Sequence, residues 1–247
     1  MKTKPTAAER LRQMHDVLAR AYGPQHWWPA ETRFEVILGA YLTQNTSWKA
    51  VERSLAGLRN AGALTLDGLR AIALEDLKLL IRPSGFHSRK APAIKAFVAM
   101  LDEDFGGSLD RLANIPTATI RLRLLALPGV GPETADAILL YVLGHPVPVA
   151  DEYLRRIAVR HRLLTPAPGR KGYESLATLT RQAFAADAAA NHARLFNETH
   201  ALIVAVGKAH CGKVPNCDGC PLAYDHEGSN ASRAGNRKLK RSQKAIS

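Results

Sequence analysis

No apolar run in the 247-residue chain approaches the roughly 18 residues that cross a bilayer, and the opening Met-Lys-Thr-Lys-Pro-Thr lacks the apolar centre of a signal segment. The expectation is a cytoplasmic protein that does not span a membrane. Strict alternation of apolar and polar residues persists nowhere, which removes the signal for strands and leaves an all-α fold. Cysteine is scarce: there are three, all between 211 and 220. An odd number so crowded argues against a disulfide framework and for either a metal site or idle thiols. Acid is the scarcer charge, 22 Asp and Glu against 34 Lys and Arg, and the net +12 points to an anionic polymer, nucleic acid or membrane surface, although plain basic proteins share the trait.

What the chain does have is helical periodicity. Residues 7–22 place Leu11, Met14, Leu18 and Ala19 on one face, and further helices are expected over 34–42, 49–58, 173–185 and 190–206, with shorter ones between 63 and 114. Trp27 and Trp28 sit side by side in a loop before a proline, as a stacking surface for a base or as a plug over the core. The polar run 43–47 between two apolar helices reads as a cap and turn. Beyond about 228 the chain holds Ser, Asn, Gly and basic residues without an acid, the composition of a disordered basic tail.

One stretch carries more. Leu-Pro-Gly-Val-Gly-Pro-Glu-Thr-Ala-Asp occupies 127–136, an apolar helix follows, and Gly-His-Pro-Val-Pro-Val-Ala-Asp occupies 144–151. Gly129 and Gly131 around Val130 predict a tight hairpin with positive φ and open backbone. Pro132 suits a first helical position, and Ala135, Ile138, Leu139 and Val142 form one buried stripe. The amides of Val130 and Gly131 then stand at a helix N-terminus, a ready phosphate site, and a nucleic-acid backbone presents phosphates to such a hairpin. Pro146 and Pro148 hold the connector extended and deliver Asp151 to a helix over 152–163. Each acid has an ordinary role: Asp151 as an N-cap, Glu133 as a first-turn carboxylate favoured by the helix dipole.

The hairpin, with Asp151 eighteen positions beyond Glu133 and opening a helix, resembles the helix-hairpin-helix DNA glycosylase superfamily, in its endonuclease III branch. The resemblance implies a monomer acting on double-stranded DNA that contains damaged bases. Gly129, Val130 and Gly131 would grip the backbone, and Asp151 would lie at the mouth of a pocket for a flipped-out base. Cleaving a base–sugar bond develops oxocarbenium character, which an ionised carboxylate stabilises while it orients or deprotonates the attacking water. Capping amides and Arg155 or Arg156 favour that ionised form and desolvation opposes it. Gln44 would fill the hole left by the flipped base, with Asn45 assisting, and the 83–90 turn would bring Lys90 to DNA unless it is a plain basic turn. Where strand-cutting relatives carry a nucleophilic lysine this chain has Glu133, which cannot form an imine, so base release without a lyase step is expected.

Trp-Trp-Pro-x-Glu, Gln-Asn-Thr-x-Trp and the hairpin glutamate look similar to the 3-methyladenine glycosylase group. That finer likeness implies a pocket built from Trp27, Trp28, Phe34 and Trp48, with Lys208 beside Glu133, for a cationic alkylated purine held by stacking and cation–π attraction. Two alternatives stay open: an oxidised-pyrimidine glycosylase with lyase activity, and a noncatalytic DNA-binding module. Cys211-x5-Cys217-x2-Cys220 and then His226 match the family's iron–sulfur loop with His in place of the fourth Cys. The implied cofactor is a [4Fe-4S] cluster on Cys211, Cys217, Cys220 and His226, with zinc or an empty loop as alternatives. The implied architecture is a six-helix barrel over 25–135, a second helical domain from 1–24 and 136–226, a DNA cleft between them, and a basic tail over 227–247.

Overall fold

The structure is a computed structural model that describes residues 4–28 and 30–225, so His226 and the tail expected over 227–247 lie outside the described residues. Among the described residues there are helices and no strand, in keeping with the all-α expectation. In order they are α1 (Ala7–Tyr22), α2 (Arg33–Leu42), α3 (Trp48–Asn60), α4 (Leu66–Ala71), α5 (Leu74–Leu80), α6 (His87–Phe105), α7 (Leu109–Ala113), α8 (Thr117–Ala126), α9 (Pro132–Ala137), α10 (Glu152–Arg160), α11 (Gly169–Ala183) and α12 (His192–Ala209). None is long and apolar enough to cross a membrane.

The chain forms two compact units. The first is 26–149 with 189–197; the second is the chain up to Gln25, Ala150–Ala188 and the chain from Glu198. The division therefore falls at Val149/Ala150, whereas the sequence reading puts it at 135/136. The reason is packing: α9 and the turn that follows it lie on α2, inside the first unit.

In the first unit α2 is the central rod. Every residue from Glu35 to Leu42 is buried, the pattern of a helix enclosed on all sides, and α3, α6 and α9 pack around it. Thr32 caps its start by accepting from the Glu35 N–H at 3.1 Å. The buried Glu35 carboxylate is answered by Arg59 at 2.5 Å and by the Glu31 N–H at 3.0 Å. The helix after the hairpin departs from a plain α-helix. α9 stops at Ala137, and Ile138–Val142 continue as a π-helical turn in which the Leu143 N–H donates to Ile138 O at 3.2 Å. The predicted stripe of Ala135, Ile138, Leu139 and Val142 is nonetheless buried throughout.

In the second unit α1, α10, α11 and the later turns of α12 share one core. Leu11, Met14 and Leu18 meet Leu154 and Ile157, Leu176 and Leu179, and Leu202 and Val206. Full burial of each such side chain is worth about 1.5–3 kcal/mol. α1 begins with a reciprocal box: the Thr6 hydroxyl accepts from Glu9 N–H, and the Glu9 carboxylate accepts from Thr6 N–H at 2.7 Å. α10 and α12 approach closely because Gly207 has no Cβ; a methyl there would stand 2.3 Å from Cδ1 of Tyr153.

Candidate active site

The hairpin lies between α8 and α9 in the first unit. Gly129 takes φ of 73°, the left-handed turn that its sequence predicts. Gly131 does not: with φ −93° and ψ 176° it is extended and caps α9. What its lack of a side chain provides is open space, since nothing lies within 4 Å of where a Cβ would be. Val130 also differs from expectation, for its side chain is buried and its N–H turns back to Leu127 O at 3.3 Å. The exposed Gly129 and Gly131 are left as the parts of the hairpin open to a phosphate.

Two contacts brace this turn. Arg121 of α8 grips the buried Asp136 of α9 through two bonds of 2.6 and 2.9 Å. Gln44, at the end of α2, donates to Gly129 O at 3.0 Å and to Thr134 Oγ1 at 2.9 Å. The structure thus joins Gln44 to the hairpin, with Asn45 beside it exposed and at a positive φ of 52°. Glu133 is exposed in the first turn of α9.

Lys90, expected at DNA, is turned inward in this structure. It is 3% exposed and its ammonium donates to Leu42 O at 2.8 Å and Ser84 O at 2.9 Å, fastening the end of α2 to the turn before α6. Burial lowers its pKa to about 8. A lysine after a glycine turn reads as surface, while one of the two carbonyls that draw it inward, that of Leu42, belongs to another helix.

Trp27, Trp28 and Trp48 do come together. Their ring centres lie 5.5, 6.2 and 5.6 Å apart in pairs, tilted or edge-on. Phe34 makes no ring contact with them among the described residues; Tyr141 takes that place, 5.4 Å from Trp28. Tyr141 sits on the π-helical turn, a feature that apolar periodicity does not disclose. The Trp28 ring lies against Gly39 of α2, where a Cβ would stand 3.1 Å from the ring.

Asp151 belongs to the second unit. It is buried, and its Oδ1 accepts from the Leu154 N–H at 2.8 Å as the cap of α10. Its Oδ2 faces the buried His200 of α12, with Nε2 at 3.7 Å. Arg155 and Arg156, expected to support Asp151, are drawn instead to Glu152. Hydrogen bonding from Arg155 is the main reason that the Glu152 carboxyl titrates below its ordinary range. Sequence reasoning did not find His200, and only the spacing His200–Gly207, two helical turns on one face, could have signalled it. Lys208 is exposed in the last turn of α12.

The cysteine loop follows α12. Cys211 is buried, Cys217 exposed and Cys220 between the two. The Cys220 thiol is pushed up by burial first, with Cys217 and Cys211 adding to the rise. Arg160 holds the loop from α10: it donates to Cys211 Sγ at 2.9 Å, Gly212 O at 2.8 Å and Lys213 O at 2.9 Å. Among the described residues no three His, Cys, Asp or Glu side chains converge on a point where a metal could be held. The fourth residue expected to hold a metal there, His226, lies outside the described residues.

The glycine hairpin braced on a helix start and the buried carboxylate capping a second helix stand in an all-α protein whose family handles DNA. The family model for the HhH-GPD superfamily of base excision DNA repair proteins matches residues 38–182, and the chain belongs to that family as a DNA glycosylase. A protein of Methanocaldococcus jannaschii that bears the name of a DNA repair glycosylase is 37% identical over 221 residues, 89% of this chain and 96% of that one. The crystal structure of H. pylori 3-methyladenine DNA glycosylase bound to 1,N6-ethenoadenine is 27% identical, with a TM-score of 0.68 over 83% of this chain and 98% of that one. An endonuclease III trapped covalently on DNA has the same fold, with a TM-score of 0.71 over 94% of this chain and all of that one at 22% identity.

Proposed function

We propose that this glycosylase is monofunctional: it binds duplex DNA, flips out an alkylated purine of the 3-methyladenine kind and hydrolyses its N-glycosidic bond without cutting the strand. Glu133 carries this reading. The first turn after the hairpin presents an exposed carboxylate, which has no amine nitrogen and so cannot form an imine with the sugar C1′. The buried Lys90 offers no substitute, because both carbonyls at its ammonium hold it in place. Further support comes from the clustered rings of Trp27, Trp28, Trp48 and Tyr141, whose faces suit a cationic base. The likeness to the H. pylori 3-methyladenine enzyme points the same way.

In the proposed reaction the C1′–N bond breaks and its electron pair leaves with the base. A water oxygen bonds to C1′, and its proton passes to Asp151 or to solvent. Asp151 serves in its ionised form, both as counter-charge to the oxocarbenium and as base for the water. Gly129 and Gly131 hold the phosphate backbone, and Gln44 keeps the hairpin in shape for that contact.

The test is incubation of purified protein with duplexes carrying single 3-methyladenine, 7-methylguanine, thymine glycol or mismatched thymine, with borohydride trapping alongside. Release of the methylated purines without a trapped adduct is expected. A strong covalent adduct would overturn the monofunctional reading, and release of thymine glycol alone would overturn the substrate. A [4Fe-4S] cluster on Cys211, Cys217, Cys220 and His226 remains part of the proposal as a structural group. Iron with broad absorption in the visible blue is its expected signature, and colourless protein holding zinc would sink it.

A further inference from the structure

We infer that His200 is a positioning residue for Asp151, holding its carboxylate ionised and aimed for base release; this rests on the reading of Asp151 as the catalytic carboxylate. The two oxygens of Asp151 have different surroundings. Oδ1 is committed to the Leu154 N–H at 2.8 Å, which fixes the side chain as a cap. Oδ2 is the oxygen free to act on a water, and His200 Nε2 stands 3.7 Å from it. Both residues are 8% exposed, so little solvent screens the pair. Such a carboxylate without a cationic or donating neighbour would favour its protonated form, which is useless as counter-charge or base.

The fold builds this pairing. Gly207 lets Tyr153 lie directly on α12 and draws in the start of α10. His200, seven residues before Gly207, lies on the same face of α12. The other charged or titratable groups nearby have their own partners. Glu152, Arg155 and Arg156 on α10 bond to one another. The Tyr173 hydroxyl of α11 accepts from the Ala150 N–H at 3.5 Å. His15 of α1 bonds to Thr199 at 2.9 Å. His200 alone stands at Oδ2 among the recorded ion pairs of Asp151.

The experiment uses the full chain and the variants H200L, H200Q and D151N. Nitrogen-resolved NMR of the histidine rings comes first. Removing the carboxylate in D151N should change the ring-nitrogen shifts of His200, whose Nε2 stands 3.7 Å from Asp151 Oδ2. Unchanged ring-nitrogen shifts overturn the pairing, whatever the substrate proves to be. Single-turnover release of 3-methyladenine from methylated duplex is read next, against pH. H200L should be slowed about tenfold and its acidic limb should move to higher pH. H200Q, which keeps an N–H donor, should recover most of the rate at neutral pH. A merely structural histidine would lower the melting temperature of H200L and leave the acidic limb where it was, and that result overturns the inference. Failure of the underlying reading looks different. D151N releasing base at the wild-type rate would remove Asp151 from the chemistry, and the role of His200 with it, even with the NMR shift intact. If the wild type releases no 3-methyladenine, the substrate assignment fails and the NMR arm still decides the pairing.

Discussion

Gly207→Ala offers the sharpest test of how the second unit is built. The new Cβ would stand 2.3, 2.4 and 2.7 Å from Cδ1, Cγ and Cβ of Tyr153. Carbon atoms rest comfortably at about 3.5 Å, so α10 and α12 would have to part by about 1 Å. Rotation of the tyrosine gives only partial relief, because turning about Cα–Cβ carries Cδ1 and Cγ away while Cβ, 2.7 Å from the new atom, moves only with α10. Against this, alanine in place of glycine inside a helix gains up to about 1 kcal/mol of propensity. Overpacking costs about 1–3 kcal/mol, and a clash with three atoms, one of them fixed to the backbone, belongs at the upper end of that range. The net expectation is a loss of about 1–2 kcal/mol. For a chain of this size each kcal/mol lowers the melting temperature by about 2–4 °C, so a fall of about 2–8 °C is expected by calorimetry. Tyr153→Ala removes the two ring contacts and keeps the third, so G207A should cost less in that background than in the wild type. A G207A protein that melts at or above the wild-type temperature would refute the argument that this glycine is needed for close approach.

Arg121→Met leaves Asp136 buried without its guanidinium and should cost about 3–5 kcal/mol in denaturant unfolding; a loss under about 1 kcal/mol would refute the brace. Gln44→Ala releases Gly129 O and Thr134 from their shared donor, and affinity for an abasic-site duplex should fall about 5- to 10-fold with little change in melting temperature. Lys90→Met should destabilise by about 2–4 kcal/mol, since two buried carbonyls lose their donor, while the salt dependence of DNA binding stays the same; a phosphate contact would instead lower the salt slope by about 1. The native Lys90 titrates at about 8 against 10.5 for a free lysine, so between those values the unfolded chain holds the extra proton and this group's contribution to stability rises with pH. The wild type should therefore gain on K90M between pH 8 and 10.5, and parallel pH–stability curves would refute the burial argument.

Elements whose cause is local were legible in the sequence. α1 begins and ends as its capping box and Gly23 dictate, and α2 reads as a buried rod because its apolar residues leave no polar face. The hairpin followed from two glycines and a proline within four positions. The two glycines could not be told apart, because the same composition serves a left-handed turn at Gly129 and open space at Gly131. Lys90 and Phe34 misled for a related reason. Their surroundings depend on partners distant in the chain, the carbonyl of Leu42 for the first, with Ser84 nearer by, and the placing of Tyr141 against Trp28 for the second. The boundary at Val149/Ala150 was likewise invisible, since it depends on α9 packing against α2 rather than on any change in composition.

Asp151 shows where that limit lies within a single side chain. Its Oδ1 bond runs to the amide three residues ahead, a distance at which residue preference alone predicts a cap. Its Oδ2 faces a histidine on a helix that begins some forty positions later, and no local rule links the two. In the proposed reaction Asp151 acts through the second oxygen, because the first is already occupied by the fold. A capping aspartate can thus be assigned from sequence, but whether it is also poised to act depends on what meets its other oxygen. In this chain that is decided by Gly207, a residue without a side chain, which lets α12 come close enough to present His200. If G207A were to widen the gap between α10 and α12, the acidic limb of base release should move in the same direction as in H200L, although no group that titrates has been changed. An unmoved limb in a stably folded G207A protein would separate helix packing from the His200–Asp151 pairing and refute this link between them.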